Sequence, residues 1–301
     1  MHSPDSIRRF LFEHYPVRGY VVHLDSAWRA ACEPTDYRPE VQQLLGEALV
    51  SATLLAATLK FEGTLTLQLQ GPGPVHLLVA QCTDRHAIRG VARYRGEEIV
   101  AGSGGQLQQL AGEGRLSVSI ETNAQTARYQ GIVPLSGGDL AGCLEAYFAS
   151  SEQLPTRLWL VAEADRAAGF LLQRVPDHER AGVSDAEVDE LWNRVGHLAA
   201  TLTARELLDL SEARLLRRLF AEDDVRLFSP TPVFFQCRCS RERVTGLLRS
   251  LGEPEVQSIL DERGSVEVRC EFCNRAYAFD RIDCAGIFRA PESTQASVRL
   301  Q

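Results

Sequence analysis

Five of the eight cysteines lie within 48 residues, and this clustering constrains the fold more than any other feature of the sequence. They form one pair in Cys237-Arg-Cys239, a second pair in Cys270-Glu-Phe-Cys273, and a single Cys284. Thirty residues separate the two pairs. Because structural disulfides are rare in the reducing cytosol, where we expect this chain, the pattern predicts a metal or redox site and not a disulfide framework.

The two closely spaced pairs match the coordination that Zn²⁺ prefers. Zinc takes four thiolates in a tetrahedron, and two short chelating turns can present two sulfurs each. The spacing therefore predicts one zinc ion per chain, bound by Cys237, Cys239, Cys270 and Cys273. Four thiolates fill the coordination shell, which argues against a catalytic zinc. The alternative left open by the pattern is a set of thiols without metal.

The same thiols are also candidates for redox chemistry. A disulfide within a Cys-x-Cys segment closes a very small ring, and such a bond is strained and comparatively easy to reduce. Cationic neighbours favour the reactive thiolate. Five arginines lie close to the thiols in sequence: Arg238, Arg241, Arg243, Arg269 and Arg275. They either favour the thiolate form or are ordinary surface charges, and both interpretations stay open.

The other cysteines carry weaker signals. We expect Cys32, Cys82 and Cys143 to be small, partly buried residues. Cys284 lies 11 positions beyond Cys273 and outside both chelating pairs, so its part in redox chemistry is left open. The glycine-rich segment 102–105 lacks the Gly-Lys-Ser/Thr ending of a phosphate loop, and nothing in the sequence predicts ATP binding.

Composition excludes several classes of protein. The 301 residues include 45% hydrophobic and 24% charged residues, as in an ordinary globular protein of about two domains. The net charge of −8 makes the chain a poor general binder of nucleic acid or anionic membrane. Its longest strongly apolar stretch, Leu49–Leu59, is too short to span a bilayer. Because the first 17 residues lack the apolar core of a secretory signal, we expect a cytoplasmic protein.

Residues 1–177 are predicted to form an α+β core domain, because strands predominate without regular βαβ alternation. Two segments show a helical period, Pro39–Lys60 and Asp139–Ser150. Seven segments read as strands: Tyr20–Leu24, Thr64–Gln70, Val75–Gln81, Leu116–Ile120, Arg128–Val133, Arg157–Ala164 and Gly169–Val175.

Residues 178–231 are predicted to form a helical linker without strands. Capping boxes at Ser184 and Thr203 start two helices there. Residues 232–301 are predicted to form a small zinc-binding domain. In it, two helices end at Gly252 and Gly264, two strands flank the Cys270 pair, and the tail after Ala285 is frayed. The linker carries an apolar stripe whose members are our candidates for binding clients: Leu191, Trp192, Leu198, Leu207, Leu215 and Phe220.

These features resemble the redox-regulated 33-kDa heat-shock chaperone family of bacteria, over nearly the whole chain. The two cysteine pairs with their 30-residue gap carry the resemblance most specifically. Further segments occur in the order typical of the family: Leu45-Gly-Glu-Ala48, Leu59-Lys-Phe-Glu-Gly63, Tyr129-Gln-Gly-Ile-Val-Pro-Leu135, Ser151-Glu-Gln-Leu-Pro-Thr-Arg157 and Asp224-Val-Arg-Leu-Phe228.

The resemblance implies a cytoplasmic, ATP-independent holdase that is not an enzyme. It implies that the four cysteines bind zinc when reduced, and that oxidation forms the local disulfides Cys237–Cys239 and Cys270–Cys273. It further implies that the active form binds unfolding client proteins and tends to form a homodimer. Cys284 is not part of the family motif.

Such a switch has a physical rationale. A lobe of residues 232–284 is too small to bury much core, and lobes of this size usually need a metal. Structural zinc contributes about 10–16 kcal/mol of apparent folding free energy. Local disulfides close only tiny loops, so oxidation should unfold the lobe. If the short linker helices rest against it, they would loosen and expose apolar surface for clients.

Two other functional classes stay open. One is a zinc-ribbon module that binds nucleic acid, although residues 237–284 contain 8 Arg against 9 acidic residues and would attract phosphate weakly. The other is a thiol-disulfide oxidoreductase using Cys270 and Cys273. A Cys-x-x-Cys at the start of a helix would favour that class, whereas this one lies between predicted strands.

Overall fold

The chain folds as two compact units, Met1–Gln236 and Cys237–Gln301. This computed structural model describes residues 5–99, 107–122, 128–135, 138–176 and 183–289. The helices predicted for residues 178–231 fall within the first unit, and their separation as a linker stays a prediction. The glycine-rich segment 102–105 and the end of the tail, residues 290–301, lie outside the described residues.

Two six-stranded sheets form the framework of the first unit. In chain order the strands are β1 (Ser6–Phe12), β2 (Val17–Leu24), β3 (Gly63–Gln70), β4 (Val75–Thr83), β5 (Ala87–Tyr94), β6 (Arg115–Thr122), β7 (Arg128–Pro134), β8 (Thr156–Ala162), β9 (Ala167–Arg174), β10 (Val225–Leu227), β11 (Thr231–Pro232) and β12 (Phe234–Phe235). The first sheet has the order β10-β1-β2-β9-β8, with β11 also paired to β1. The second has the order β12-β5-β4-β3-β6-β7, and only its β12–β5 pair is parallel among the described strands.

A long buried helix packs against both sheets. The helices of this unit are α1 (Ser26–Cys32), α2 (Pro39–Thr58), α3 (Leu107–Ala111), α4 (Leu140–Tyr147), α5 (Asp185–Ala199), α6 (Ala204–Asp209) and α7 (Glu212–Leu219). Every residue of α2 from Leu44 to Ala56 is buried, since the helix contacts strands of both sheets. The apolar residues that predicted this helix from sequence thus lie on the main core.

The predicted α+β class is confirmed, and the seven predicted strands and two predicted helices are present. Strands β1 and β5 were not predicted. In β1, Arg8 and Arg9 interrupt the apolar pattern. The prediction of no strand between 178 and 230 is wrong, because β10 pairs with β1. Three residues are too few to show a strand period, and their partner is distant in the chain.

The first sheet is buried on both faces. One face contributes to the main core with α2, and the other packs under α5, α6 and α7. Aromatic rings fill the centre of this second contact: Phe10 stacks on Phe170 at 5.5 Å, and Phe12 meets Phe220 edge-on at 5.1 Å. Gly19 leaves room for them, because a Cβ there would lie 2.1 Å from the Phe10 ring. The helices are therefore held mainly by apolar packing.

A buried polar cluster lies at one end of this contact. The His23 ring places Nε2 2.9 Å from the Leu207 carbonyl oxygen and Nδ1 3.5 Å from Glu212 Oε1. Arg8 lies 3.7 Å from Glu212 Oε2 and donates to the Phe228 carbonyl at 2.8 and 3.0 Å. Burial raises the pKa of Glu212, but hydrogen bonds to His23 and to its own amide, with the Arg8 charge, outweigh burial and lower the pKa to about 2.

Glu212→Gln is expected to loosen α6 and α7 from the sheet. The variant removes the carboxylate that compensates Arg8 and that lies beside the His23 ring. We expect a cost of about 3 kcal/mol, the lower end for breaking a buried ion pair, because Arg8 keeps its bonds to the Phe228 carbonyl. Since the pKa of Glu212 is lowered from 4.5, its contribution is complete above about pH 4.5 and is lost as the pH falls toward about 2.

The measurement is thermal unfolding of both proteins between pH 2 and pH 7, with Glu190→Gln, an exposed glutamate of α5, as the control. The difference between wild type and Glu212→Gln should shrink as the pH falls, and the control should match wild type. A difference that does not change with pH would contradict the role given to the carboxylate.

The second unit is a small α/β lobe with its own core. Its elements are α8 (Arg241–Leu251), α9 (Glu253–Arg263), the antiparallel pair β13 (Val266–Arg269) and β14 (Ala276–Phe279), and α10 (Arg281–Phe288). The two predicted helices and two predicted strands are confirmed. Gly264 ends α9 with a φ of 78°, as its type predicts. The prediction of a frayed chain after Ala285 is wrong as far as Phe288, because α10 continues to that residue.

Candidate metal centre

The second thiol pair lies in a tight turn between β13 and β14. The Cys270 amide donates to the Arg275 carbonyl at 3.0 Å, and the Asn274 amide donates to the Cys270 carbonyl at 2.7 Å. Asn274 has a φ of 53°, a left-handed conformation that asparagine tolerates better than most residues. The turn thus holds Cys270 and Cys273 within the short reach that metal chelation needs.

The first thiol pair directly precedes α8. Ser240 caps that helix, its hydroxyl accepting from the Arg243 amide at 3.3 Å. The Arg243 side chain in turn donates to the Arg238 carbonyl at 2.8 Å. These bonds fix the backbone around Cys237 and Cys239, because the residue between the two thiols and the residue after them are both tied to the helix start.

The fold brings the four thiols together. Their sulfur atoms all lie within 4.8 Å of one another, with Cys237 Sγ 3.5 Å from Cys270 Sγ and Cys239 Sγ 3.4 Å from Cys273 Sγ. Four sulfurs about 2.3 Å from one zinc ion lie about 3.8 Å apart in a tetrahedron. The four-cysteine cluster could therefore hold a metal ion, and its donor set and spacing fit zinc.

The electrostatics of the cluster agree with that fit. Burial raises the pKa of Cys239, but hydrogen bonds from Tyr277 and the other thiols outweigh burial and lower the pKa to about 7. Burial, with its contacts to the other thiols, raises the pKa of Cys273 to about 12. Cys239 thus favours the thiolate whereas Cys273 opposes it, so a divalent cation would be needed to hold both as thiolates.

Sequence reasoning missed Tyr277. Its hydroxyl donates to Cys239 Sγ at 3.1 Å. The residue lies in β14, four positions after Cys273, and pairs with Val268 across the hairpin. If the two predicted strands had been paired as a hairpin, their register would have placed Tyr277 near the thiol turn. Its hydroxyl helps to stabilise a thiolate at Cys239.

The nearby arginines differ in what they contact. Arg241 pairs with Asp283 at 2.7 Å and lies 4.2 Å from the Phe279 ring centroid, and Arg269 pairs with Glu267 at 2.6 Å. Hydrogen bonding to Tyr277 and the charges of Cys239 and Cys273 raise the pKa of Arg275. Arg275 therefore lies where the thiol charges of the cluster act on it.

The remaining cysteines lie elsewhere. Cys82 and Cys143 belong to the main core, and Cys32 packs partly buried against it. Burial raises the pKa of Cys32 and of Cys82 to about 12, which favours the protonated thiol over the reactive thiolate. Cys284 is buried in the core of the second unit and is not a member of the four-thiol cluster.

The structure covers all six client-binding candidates. Leu191, Leu207, Leu215 and Phe220 are buried against the first sheet, and Trp192 and Leu198 are partly buried there. A role in binding clients therefore requires that these helices first move, and it stays a prediction. None of the helices in the described part of the chain is at once long and apolar enough to cross a membrane.

Known proteins similar to this chain along most of its length are 33 kDa chaperonins. A 33 kDa chaperonin from Nitrosococcus oceani is 46% identical over 288 residues, 96% of each chain. That from Azotobacter vinelandii is 46% identical over 302 residues, 98% of this chain and 100% of the relative. The crystal structure of the 33 kDa chaperonin from Thermotoga maritima shares the fold, with a TM-score of 0.79 at 24% identity, over 94% of this chain and 97% of that one.

A family model described as Hsp33 protein matches residues 5–280. The matched region begins at the first sheet and includes all four clustered thiols. Since the match covers most of the chain and close relatives align along nearly their whole length, this chain belongs to the Hsp33 family of 33 kDa chaperonins.

Proposed function

We propose that the chain is a redox-regulated, ATP-independent holdase of the cytoplasm that binds unfolding proteins under oxidative stress. The observation that carries the proposal is the four-thiol cluster in a chain of the chaperonin family. On this proposal the protein is not an enzyme, and its partners are unfolded chains and not nucleic acid or membranes. The net charge of −8 supports that choice of partner.

In the reduced state, one zinc ion per chain is bound by Cys237, Cys239, Cys270 and Cys273. The spacing of their sulfurs and the low pKa of Cys239 support this assignment. The ion supplies no catalysis here, because four thiolates leave no coordination position for substrate. Its contribution is to join the two ends of a 30-residue loop and to stabilise a lobe whose core has eight buried side chains among the described residues.

Oxidation removes these ligands. In each pair, two thiolates would give two electrons to hydrogen peroxide and form a sulfur–sulfur bond. The peroxide takes two protons from solvent and becomes two waters. The bonds Cys237–Cys239 and Cys270–Cys273 close only short loops, so they constrain the lobe much less than the metal. We expect residues 237–289 to unfold. We further propose that α5, α6 and α7 then leave the first sheet on which they pack, since helices of this length are marginal alone.

Loosening would uncover two apolar surfaces at once. One is the stripe of Leu191, Trp192, Leu198, Leu207, Leu215 and Phe220 on the helices, and the other is the aromatic face of the first sheet. Exposed apolar surface of this kind binds unfolding chains, and it would also join two copies into the homodimer proposed for the oxidised form.

The thiol turn favours this proposal over a thiol-disulfide oxidoreductase. Reactive Cys-x-x-Cys pairs gain thiolate character at a helix start. Cys270 and Cys273 instead lie in a turn between two strands, a usual setting for structural zinc.

The test measures zinc, free thiols and client protection in one series. The reduced protein should contain about one zinc per chain by elemental analysis. After peroxide it should lose the zinc and four thiols, and it should then suppress aggregation of a heat-unfolded client without nucleotide. Reduced protein without zinc, or protection that requires ATP, would contradict the proposal.

A further inference from the structure

The sheet face beneath α5, α6 and α7 has an apolar centre and cationic ends. Alternate residues of β1, β2, β9 and β8 point to these helices, and we call them the helix-covered face. Its centre consists of Phe10, Val21, Phe170, Leu172 and Trp159. Such a centre would hold any apolar segment, so selectivity depends on the charges around it.

The charged side chains on this face have one sign. Arg8 lies toward the β1 end of the face, and Arg157 and Arg174 lie toward the β8 end. At the alternating positions of these four strands, all of them in the described part of the chain, no acidic residue occurs. An anionic partner is therefore attracted at both ends, whereas a cationic partner is repelled at both.

The helices supply the complementary charges. Glu212 of α7 faces Arg8 and His23, at 3.7 and 3.5 Å. Asp189 of α5 forms a salt bridge with Arg174, and Asp185 lies 3.7 Å from the same arginine.

In two further contacts the cationic group also belongs to the sheet and its partner to a helix. Arg166, in the turn between β8 and β9, pairs with Asp209 of α6 at 2.6 Å. Arg157 lies 5.9 Å from the ring centroid of Trp192, where a cation is attracted by the π face. In the described residues, each arginine salt bridge between a strand of this sheet and these helices has the base on the strand and the acid on the helix. In the turns, Arg166 keeps this direction, whereas Arg194 of α5 pairs with Asp223 before β10 in the opposite one.

We propose that the helix-covered face selects client segments in which apolar side chains are flanked by carboxylates. The inference rests on the proposed function, because the face is open only after the helices leave. In the present fold the helices occupy this face, and they match the proposed clients in chemistry. Their apolar side chains cover the centre, and acidic residues lie near both ends. Segments flanked by lysine or arginine would bring like charges together and bind more weakly.

The test uses the full chain, oxidised with peroxide, and two fluorescein-labelled peptides. Both peptides share one core of leucine and phenylalanine, flanked by aspartate pairs in one and by lysine pairs in the other. We expect the oxidised chain to bind the aspartate peptide about tenfold more tightly at low salt, by fluorescence anisotropy. The preference should shrink at high salt, because exposed charge pairs are screened.

Reversing the charges of the helix-covered face tests whether this face causes the preference for the aspartate peptide. Arg157→Glu combined with Arg174→Glu should abolish or invert it, and the milder Arg174→Gln should reduce it. The control is Arg115→Glu, an exposed arginine of the second sheet, which should leave the ratio of the two affinities unchanged. Exchange protection of α2 reports that each variant keeps its core.

The outcomes separate this inference from the proposed function. Equal binding of both peptides, with protection of clients intact, would overturn the charge selectivity and leave the holdase standing. A preference that survives the double reversal would assign it to another surface and overturn the inference. If the oxidised chain bound neither peptide and protected no client, the holdase proposal itself would fail.

Discussion

The double variant Cys239→Ser with Cys273→Ser is expected to lose the metal and to unfold residues 237–289 under reducing conditions. Structural zinc sites contribute about 10–16 kcal/mol of apparent folding free energy, more than a small lobe gains from its own core. Here that core has eight buried side chains among the described residues. The variant removes one ligand from each chelating pair, so neither pair can hold the ion alone.

The measurement combines elemental analysis with hydrogen exchange over residues 237–289. Wild type treated with a zinc chelator should behave like the variant. The matched control is Cys284→Ala, which removes a thiol buried in the same core but outside the cluster, and which should keep its zinc. Stoichiometric zinc in the double variant, or full exchange protection after metal loss, would show that the lobe does not depend on these ligands.

A chain locked by one crossed disulfide is expected to be much less active than a chain locked by one local disulfide. In this fold, sulfurs of different pairs are in contact, Cys237 with Cys270 at 3.5 Å and Cys239 with Cys273 at 3.4 Å. A crossed bond keeps the loop between the pairs closed. In the chain-entropy model this closure stabilises the folded lobe by about 3–4 kcal/mol, whereas the short loop of one local bond gives about half of that stabilisation.

Two double variants separate these cases. Cys239→Ser with Cys273→Ser can form only the crossed Cys237–Cys270 bond within this cluster, and Cys270→Ser with Cys273→Ser can form only the local Cys237–Cys239 bond. Each is oxidised, its bond is mapped by peptide mass spectrometry, and exchange over residues 183–289 is compared with client protection. If the crossed form exchanges as fast and protects clients as well as the local form, loop closure is not what the switch senses.

Short-range features of this protein could be predicted from the sequence. The capping boxes at Ser184 and Thr203 both form, and α9 ends at Gly264 as predicted. The thiol turn between β13 and β14 was also expected. In each case the interacting groups lie within a few positions of one another, so local geometry brings them together whatever the rest of the chain does.

The contacts that hold the helices to the sheet could not be predicted in this way. Arg8 and Glu212 are separated by 204 positions, and nothing near either residue indicates the other. Strand β10 is equally remote from its partner β1. An apolar stripe shows that a helix has a face to bury, but it does not show against which strand.

The sequence by itself determined which four cysteines are candidates for one metal ion, because two chelating pairs need only their own short turns to present sulfur. Only the tertiary structure decided that Tyr277 donates to Cys239, and that Arg8 and Arg174 of the strands pair with acids on α5 and α7. The physical reason is range. Turns and caps follow from neighbouring residues, whereas the pairing of charges across a buried contact follows from the packing of elements that are distant in the chain.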